Sequence, residues 1–157
     1  MTDKEKKISL PVFGHPKPPW YQDGLHFECT QCGNCCSGGP GYVWVTDADI
    51  HNIAGFLNIS IEAFARRYLR QLPGGISLTE RSNYDCTFLD RSGGKSECKI
   101  YPVRPMQCRT WPFWKQNIQS AESWQKAARR CPGMRSNHGP RYSAEHIDRC
   151  AEDPESP

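Results

Sequence analysis

Four cysteines fall within one short run, Cys29-Thr-Gln-Cys32-Gly-Asn-Cys35-Cys36, and no other feature constrains this chain as strongly. A Cys-x-x-Cys spacing lets a tight loop turn successive sulfurs towards one ion or cluster, while backbone amides stay free to hydrogen-bond to the thiolates. Two adjacent cysteines do not readily point the same way. The spacing therefore predicts that Cys35 or Cys36 serves a second centre or acts as a bridge. Further cysteines arrive singly, as Cys86, Cys98, Cys108, Cys131 and Cys150, the first four in turn-rich settings such as Arg130-Cys131-Pro132. The total of nine is odd, so complete internal disulfide pairing cannot occur.

Whether these thiols pair or bind metal depends on redox compartment. The chain opens on Met1-Thr2-Asp3-Lys4-Glu5-Lys6-Lys7, which is charged and is followed by no signal-like apolar run. No stretch approaches the ~18 apolar residues of a membrane span. A cytoplasmic protein without a membrane partner is expected, and in that compartment dense cysteines are metal-binding or catalytic rather than disulfide-stapled. The 157 residues suffice for one domain with tails, and only 37% of them are hydrophobic. A core that thin needs cross-links, which a metal supplies. The net charge of +3 comes from basic residues dispersed in small groups. That pattern lacks the continuous patch of phosphate-tracking proteins and argues against nucleic acid as a partner.

Organisation follows from the punctuation. Residues 1–22 read as an extended lead-in with Pro11, Pro16, Pro18 and Pro19, anchored by Trp20 and Tyr21; residues 23–140 form the cysteine-cluster domain, and 141–157 a C-terminal tail. Tyr42 to Val45 reads as a short strand. Thr46 caps a helix through Leu57, and Ser60 caps an amphipathic second helix ending at Pro73-Gly74-Gly75. Ile76 to Glu80 and Tyr84 to Leu89 are expected to form a small hairpin, and Ser92-Gly93-Gly94 turns the chain again. Helices are expected near Pro105, from Ser120 to about Arg130, and from Ser143 to Cys150. The fold class is thus α+β, a small irregular cysteine-rich domain of short helices and a small β-hairpin organised around a metal or iron-sulfur site.

Two ligand arrangements fit the count. Eight thiolates can close two tetrahedral zinc sites. Alternatively Cys29, Cys32, Cys35 and a distant cysteine, plausibly Cys131 before its proline, hold a cubane cluster in partial likeness to bacterial ferredoxins. Cys150 sits in a charged terminal segment and reads as a spare thiol. His146, four residues before it, has a chelating spacing but reads as part of a solvated helix face. His15, His26, His51 and His138 have no paired spacing.

These motifs resemble the YkgJ-type cysteine cluster family, a zinc- or iron-chelating domain with the Cys-x-x-Cys-x-x-Cys-Cys signature. The likeness continues through Cys86-Thr-Phe-Leu, Cys98-Lys-Ile-Tyr101-Pro-Val-Arg104-Pro105-Met-Gln-Cys108-Arg109-Thr-Trp-Pro112-Phe113 and Cys131-Pro-Gly133. The resemblance implies Cys29, Cys32, Cys35, Cys36, Cys86, Cys98, Cys108 and Cys131 as metal ligands, with zinc, iron or an iron-sulfur cluster as the bound group. It also implies an alternative, a protein methyltransferase similar to flagellin lysine N-methylase, so the resemblance leaves open whether the chain is an enzyme. Arg104 and Arg109 flank Cys108 and are expected to offset thiolate charge. Trp111, Phe113 and Trp114 are expected to wall the site from water.

Overall fold

The computed structural model describes residues 17–152. Its helices are α1 (Asp47–Phe56), α2 (Ile61–Tyr68), α3 (Met106–Thr110), α4 (Lys115–Ile118), α5 (Ala121–Ala128) and α6 (Ala144–Glu152). Six short strands, β1 (Leu25–His26), β2 (Leu69–Leu72), β3 (Gly75–Leu78), β4 (Leu89–Asp90), β5 (Glu97–Cys98) and β6 (Arg141–Tyr142), form three antiparallel pairs, β1–β6, β2–β3 and β4–β5. The fold is a small irregular α+β domain. No described helix is long and apolar enough to cross a membrane.

Cap chemistry places the helices. The Thr46 hydroxyl accepts from Asp49 N–H at 3.1 Å while the Asp49 carboxylate accepts from Thr46 N–H at 3.2 Å, a reciprocal box that starts α1. The Ser60 and Ser120 hydroxyls accept from Ala63 and Ser123 N–H to start α2 and α5. Trp20 donates to Ile118 O at 2.6 Å and Tyr21 to Asp148 at 2.7 Å, so the aromatic pair does anchor the lead-in. Residues 1–16 of that lead-in, including His15, lie outside the described residues.

The apolar residues collect in two separate cores. One joins Ile50, Ile53 and Ala54 of α1 to Phe64, Leu78, Phe88 and Ile100. The other joins Phe27, Phe113, Ile118, Trp124 and Met134 to Ile147 and Ala151 of α6. Aromatic stacking centres each: Phe64 lies parallel to Phe88 at 6.4 Å, and Phe113 to Trp124 at 5.9 Å. Neither core is large, and each carries cysteines on its margin, Cys86 and Cys98 on the first, Cys29 and Cys131 on the second.

Three local expectations need correction. The hairpin is β2–β3, with Leu69 opposite Leu78 and Leu72 opposite Gly75. Helix α2 stops at Tyr68, so Pro73-Gly74 is the turn of a hairpin rather than the end of a helix. The turn is compact because it lies on Trp44, whose ring would be 2.9 Å from a Cβ at Gly74. Tyr84 to Leu89 is not a strand, since Tyr84 is left-handed (φ 65) and its N–H closes a turn on Arg81 O; only Glu80 and Cys86 form a bridge there. Tyr42 to Val45 contributes a single bridge, Trp44 to Ser77.

Besides its backbone bonds to β3, Val45 N–H on Ile76 O and Leu78 N–H on Val43 O, that segment is held by buried Gln107 of α3, which accepts from Trp44 N–H at 2.7 Å and donates to Tyr42 O at 3.2 Å. Gln107→Leu keeps the volume but leaves both backbone groups without that partner, so a loss of about 1–3 kcal/mol is expected. Urea denaturation at fixed metal loading reads it as a lowered midpoint with unchanged slope. A wild-type midpoint would mean that these bonds do not hold α3 to the 42–44 segment.

Candidate metal centre

The Cys29 to Cys36 loop owes its shape to two left-handed residues, Gln31 (φ 52) and Gly33 (φ 75), one inside each Cys-x-x-Cys. Each reverses the chain enough to bring the next sulfur back to the same side. Asn34–Cys36 then form a 3-10 turn, closed by Cys36 N–H on Gly33 O at 3.1 Å and by the Ser37 hydroxyl on the same carbonyl at 2.9 Å. Gly33 is required twice over: its φ is left-handed, and a Cβ there would stand 3.0 Å from both Leu89 Cδ1 and Ser96 Cβ.

Backbone contacts tie the distant cysteines to this loop. Cys86 N–H donates to Cys36 O at 2.8 Å, and Cys98 pairs with Leu89 across β4–β5. Cys108 lies in α3, its N–H on Pro105 O at 2.9 Å. Cys131 arrives beside Glu28, whose N–H donates to Gly133 O at 3.3 Å; a Cβ on Gly133 would collide with Glu28 O, so only glycine lets the two chains lie this close. Asn34 donates to Arg130 O at 2.7 Å, and the Arg130 guanidinium crosses Gly38 to reach Ser37 O at 3.3 Å.

As a result Cys29, Cys32, Cys35, Cys36, Cys86, Cys98, Cys108 and Cys131 all line one cavity of about 120 Å³ between the two cores. No histidine is among its lining residues, so its donors are thiols. Such a set suits zinc and iron-sulfur chemistry. Among the described residues no three donors are already drawn onto one point; the sulfurs stand around the wall. Cys35 and Cys36 differ from expectation, because their sulfurs face each other at 3.7 Å. Two thiolates on one tetrahedral zinc lie about 3.8 Å apart, given Zn–S bonds of ~2.3 Å. Cys150 is elsewhere, on α6, with its sulfur 3.5 Å from His146 Nε2 and its side chain against the Phe113 core. His146 packs on Tyr142 and Phe113, so this helix face is not simply solvated.

Burial dominates the electrostatics. It pushes the thiols of Cys86, Cys98, Cys108 and Cys131 up, and neighbouring thiols add to the effect. Cys35 runs the other way, down to about 7, chiefly because the Cys36 thiol donates to it, against the effect of burial, with a backbone hydrogen bond and then the Arg104 guanidinium adding to the fall; Cys36 is pushed up correspondingly. Arg104 is the cation acting on Cys35, Cys98 and Cys108, and it is fixed by its Nε on Tyr101 O at 3.0 Å and by the Tyr101 ring 3.7 Å beneath it. Arg109, expected to share this role, is exposed. Trp111 and Trp114 line the cavity, whereas Phe113 is buried in the adjoining core. The Trp111 Nε1–H is buried with no acceptor at ordinary hydrogen-bond geometry, yet lies close enough to Cys131 to draw that thiol down against the effect of burial. A thiolate at Cys131 would satisfy it, which fits a metal-bound sulfur at that position. Tyr101, which lines the cavity with Cys29 and carries Arg104 on its ring, was given no role by the sequence reading; its place directly after Cys98-Lys-Ile is the signal that could have found it.

Two tests follow. Gly33→Ala is expected to destabilise the protein by about 1–2 kcal/mol through its left-handed φ, with crowding added, whereas Gly93→Ala, which meets nothing, is near neutral. Equal denaturation midpoints for the two would remove the geometric argument. The pH dependence has a definite sign. Thiols whose folded pKa is raised above the unfolded ~8.5 stabilise the metal-free fold fully below that value and lose the contribution as pH rises through the folded pKa. Melting of chelator-treated protein should therefore occur at progressively lower temperature above about pH 8.5, while metal affinity climbs with pH as protons are displaced. A melting temperature flat to pH 10 would contradict the buried neutral thiols.

The comparisons with known proteins agree with this geometry. Residues 28–137 match the CxxCxxCC family, described as a "putative zinc- or iron-chelating domain". The chain is 36% identical over 110 residues to the uncharacterized protein MJ0661 of Methanocaldococcus jannaschii, an alignment covering 70% of this chain and 53% of that one. It thus spans about half the length of this curated relative. No solved structure matches significantly. The matched span begins one residue before Cys29 and ends six after Cys131, taking in every cysteine of the cavity and leaving out Cys150, and the chain belongs to the CxxCxxCC family of zinc- or iron-chelating domains.

Proposed function

We propose that this protein is a metal-thiolate protein in which Cys29, Cys32, Cys35, Cys36, Cys86, Cys98, Cys108 and Cys131 hold zinc or iron between the two cores. The observation that carries the reading is the shared cavity: eight cysteines from remote segments line it and the ninth does not. Its volume, about 120 Å³, is several times the ~30 Å³ share of one water, so the space suits more than a single ion. Mutual influence divides the thiols. Cys36 and Cys108 each feel Cys86 and Cys35, whereas Cys131 feels Cys32. This grouping favours a two-centre arrangement, one around Cys35, Cys36, Cys86 and Cys108, the other around Cys29, Cys32 and Cys131 with Cys98 between them.

The bound group supplies cross-linking and, if it is an iron-sulfur cluster, electron transfer. The chain's own residues do the rest. Arg104 offsets thiolate charge, Tyr101 and Trp111 direct donors at Cys29 and Cys131, and the two cores keep water from the buried side.

Anaerobically purified protein should carry zinc and be colourless, or carry iron with acid-labile sulfide and be brown. Cys32→Ser is expected to lose metal and protease resistance together, and Cys150→Ser to keep both. Wild-type metal content in Cys32→Ser, or loss in Cys150→Ser, would overturn the ligand assignment.

A further inference from the structure

A second, more open recess of about 520 Å³ abuts the thiol cavity and shares Cys35, Cys131, Trp111 and Trp114 with it. Its size is within the ~300–1,000 Å³ range of small-molecule sites. It is more polar than the cavity. Beside Trp111, Trp114, Ala127 and the two cysteines, the lining carries amides, hydroxyls and two cations, Lys126 of α5 and Arg130 just beyond it, and includes no carboxylate. Neither cation has an ion-pair partner among the described residues, where the ion pairs are Arg70–Glu80, Arg91–Asp85 and Lys99–Asp90. Nor are these the charges that hold the thiols in check, a task that falls to Arg104 inside the cavity.

We propose that this recess binds a small organic oxyanion, a phosphate or carboxylate of metabolite size, beside the metal centre. Lys126 and Arg130 take the anionic group. Asn34 and Asn117, each oriented by one amide N–H on Arg130 O or Pro112 O, offer their carbonyl oxygens to donors on the rest of the molecule. The remainder lies over Trp114 and Trp111 towards Cys35, the one exposed cysteine of the nine and the point where recess and cavity meet. Arg130 is preset for this task, because its guanidinium is fixed on Ser37 O in the space left by Gly38.

The test uses the full metal-loaded chain, with tryptophan fluorescence followed during separate titrations with inorganic phosphate and with citrate at constant ionic strength. A saturable change is expected with at least one, and the more effective of the two identifies the oxyanion. Lys126→Gln, an exposed change on α5, should weaken it roughly tenfold or more at unchanged metal content. Lys95→Gln, on the far rim beside Cys29 and Cys32, should bind as wild type. No saturation with either anion at millimolar concentration, or equal binding by Lys126→Gln and wild type, would overturn the proposal. Metal content is measured on the same samples, so loss of the recess and loss of the metal centre are read separately.

Discussion

The structure depends on a gap that apolar packing does not close. Two small cores, one around Phe64 and Phe88, the other around Phe113 and Trp124, face each other across a cavity walled by sulfur. Burying neutral thiols costs little, since free cysteine behaves as a small hydrophobe, but it gains little as well. The cores cannot be merged by enlarging the side chains between them without losing the donors. On the proposed reading metal would resolve the conflict, because a single thiolate-bound ion converts weakly interacting wall residues into bonds that cross the gap. Most of the irregularity elsewhere, short strands and turns in place of long elements, is tolerable once that link carries the tertiary structure.

The backbone around the cavity is arranged to make the link available. Loop residues with left-handed φ turn sulfurs inward, and glycines at positions 33 and 133 let chain segments approach closer than any side chain would allow. Hydrogen bonds from Cys86 to Cys36, Glu28 to Gly133 and Asn34 to Arg130 gather two remote segments, one at Cys86 and one at 130–133, onto one loop. None of these ties uses a sulfur, so the thiols that line the cavity stay available as ligands. Burial makes their protons hard to remove.

Much of this was legible in the residues, and the part that was not has a common cause. Local signals were read correctly where local chemistry decides: Thr46, Ser60 and Ser120 start helices because their hydroxyls reach the backbone two or three residues on. The ligand candidates were readable from spacing and family likeness, and they do converge on one cavity. Pairing partners were not. β2 pairs with β3 because Leu69 must reach the Phe64 core and Trp44 receives the turn, facts of tertiary contact that no period reveals. The Cys35–Cys36 geometry was misjudged for a related reason, since extended chain would separate adjacent side chains whereas the 3-10 turn brings their sulfurs together. Arg104 and Arg109 are indistinguishable in sequence. Only the Tyr101 ring, which captures Arg104, decides which guanidinium enters the cavity.

The same asymmetry bears on what the centre can do. On its inner side it is closed by Phe88, Leu89 and Ile100, which admit neither water nor a second molecule. On its outer side Cys35 is exposed and opens onto a polar recess containing two cations. A purely structural zinc site gains nothing from such an opening, because its ligand set is complete and its surroundings serve best when dry. An exposed ligand beside a charged, hydrogen-bonding recess is instead the arrangement in which a bound molecule could alter the metal's surroundings, through field and solvent access, without entering its coordination shell. On the proposed reading the fold separates two tasks. The buried cysteines would tie the cores together through metal, and the Cys35 edge is the part of the centre that the outside can reach.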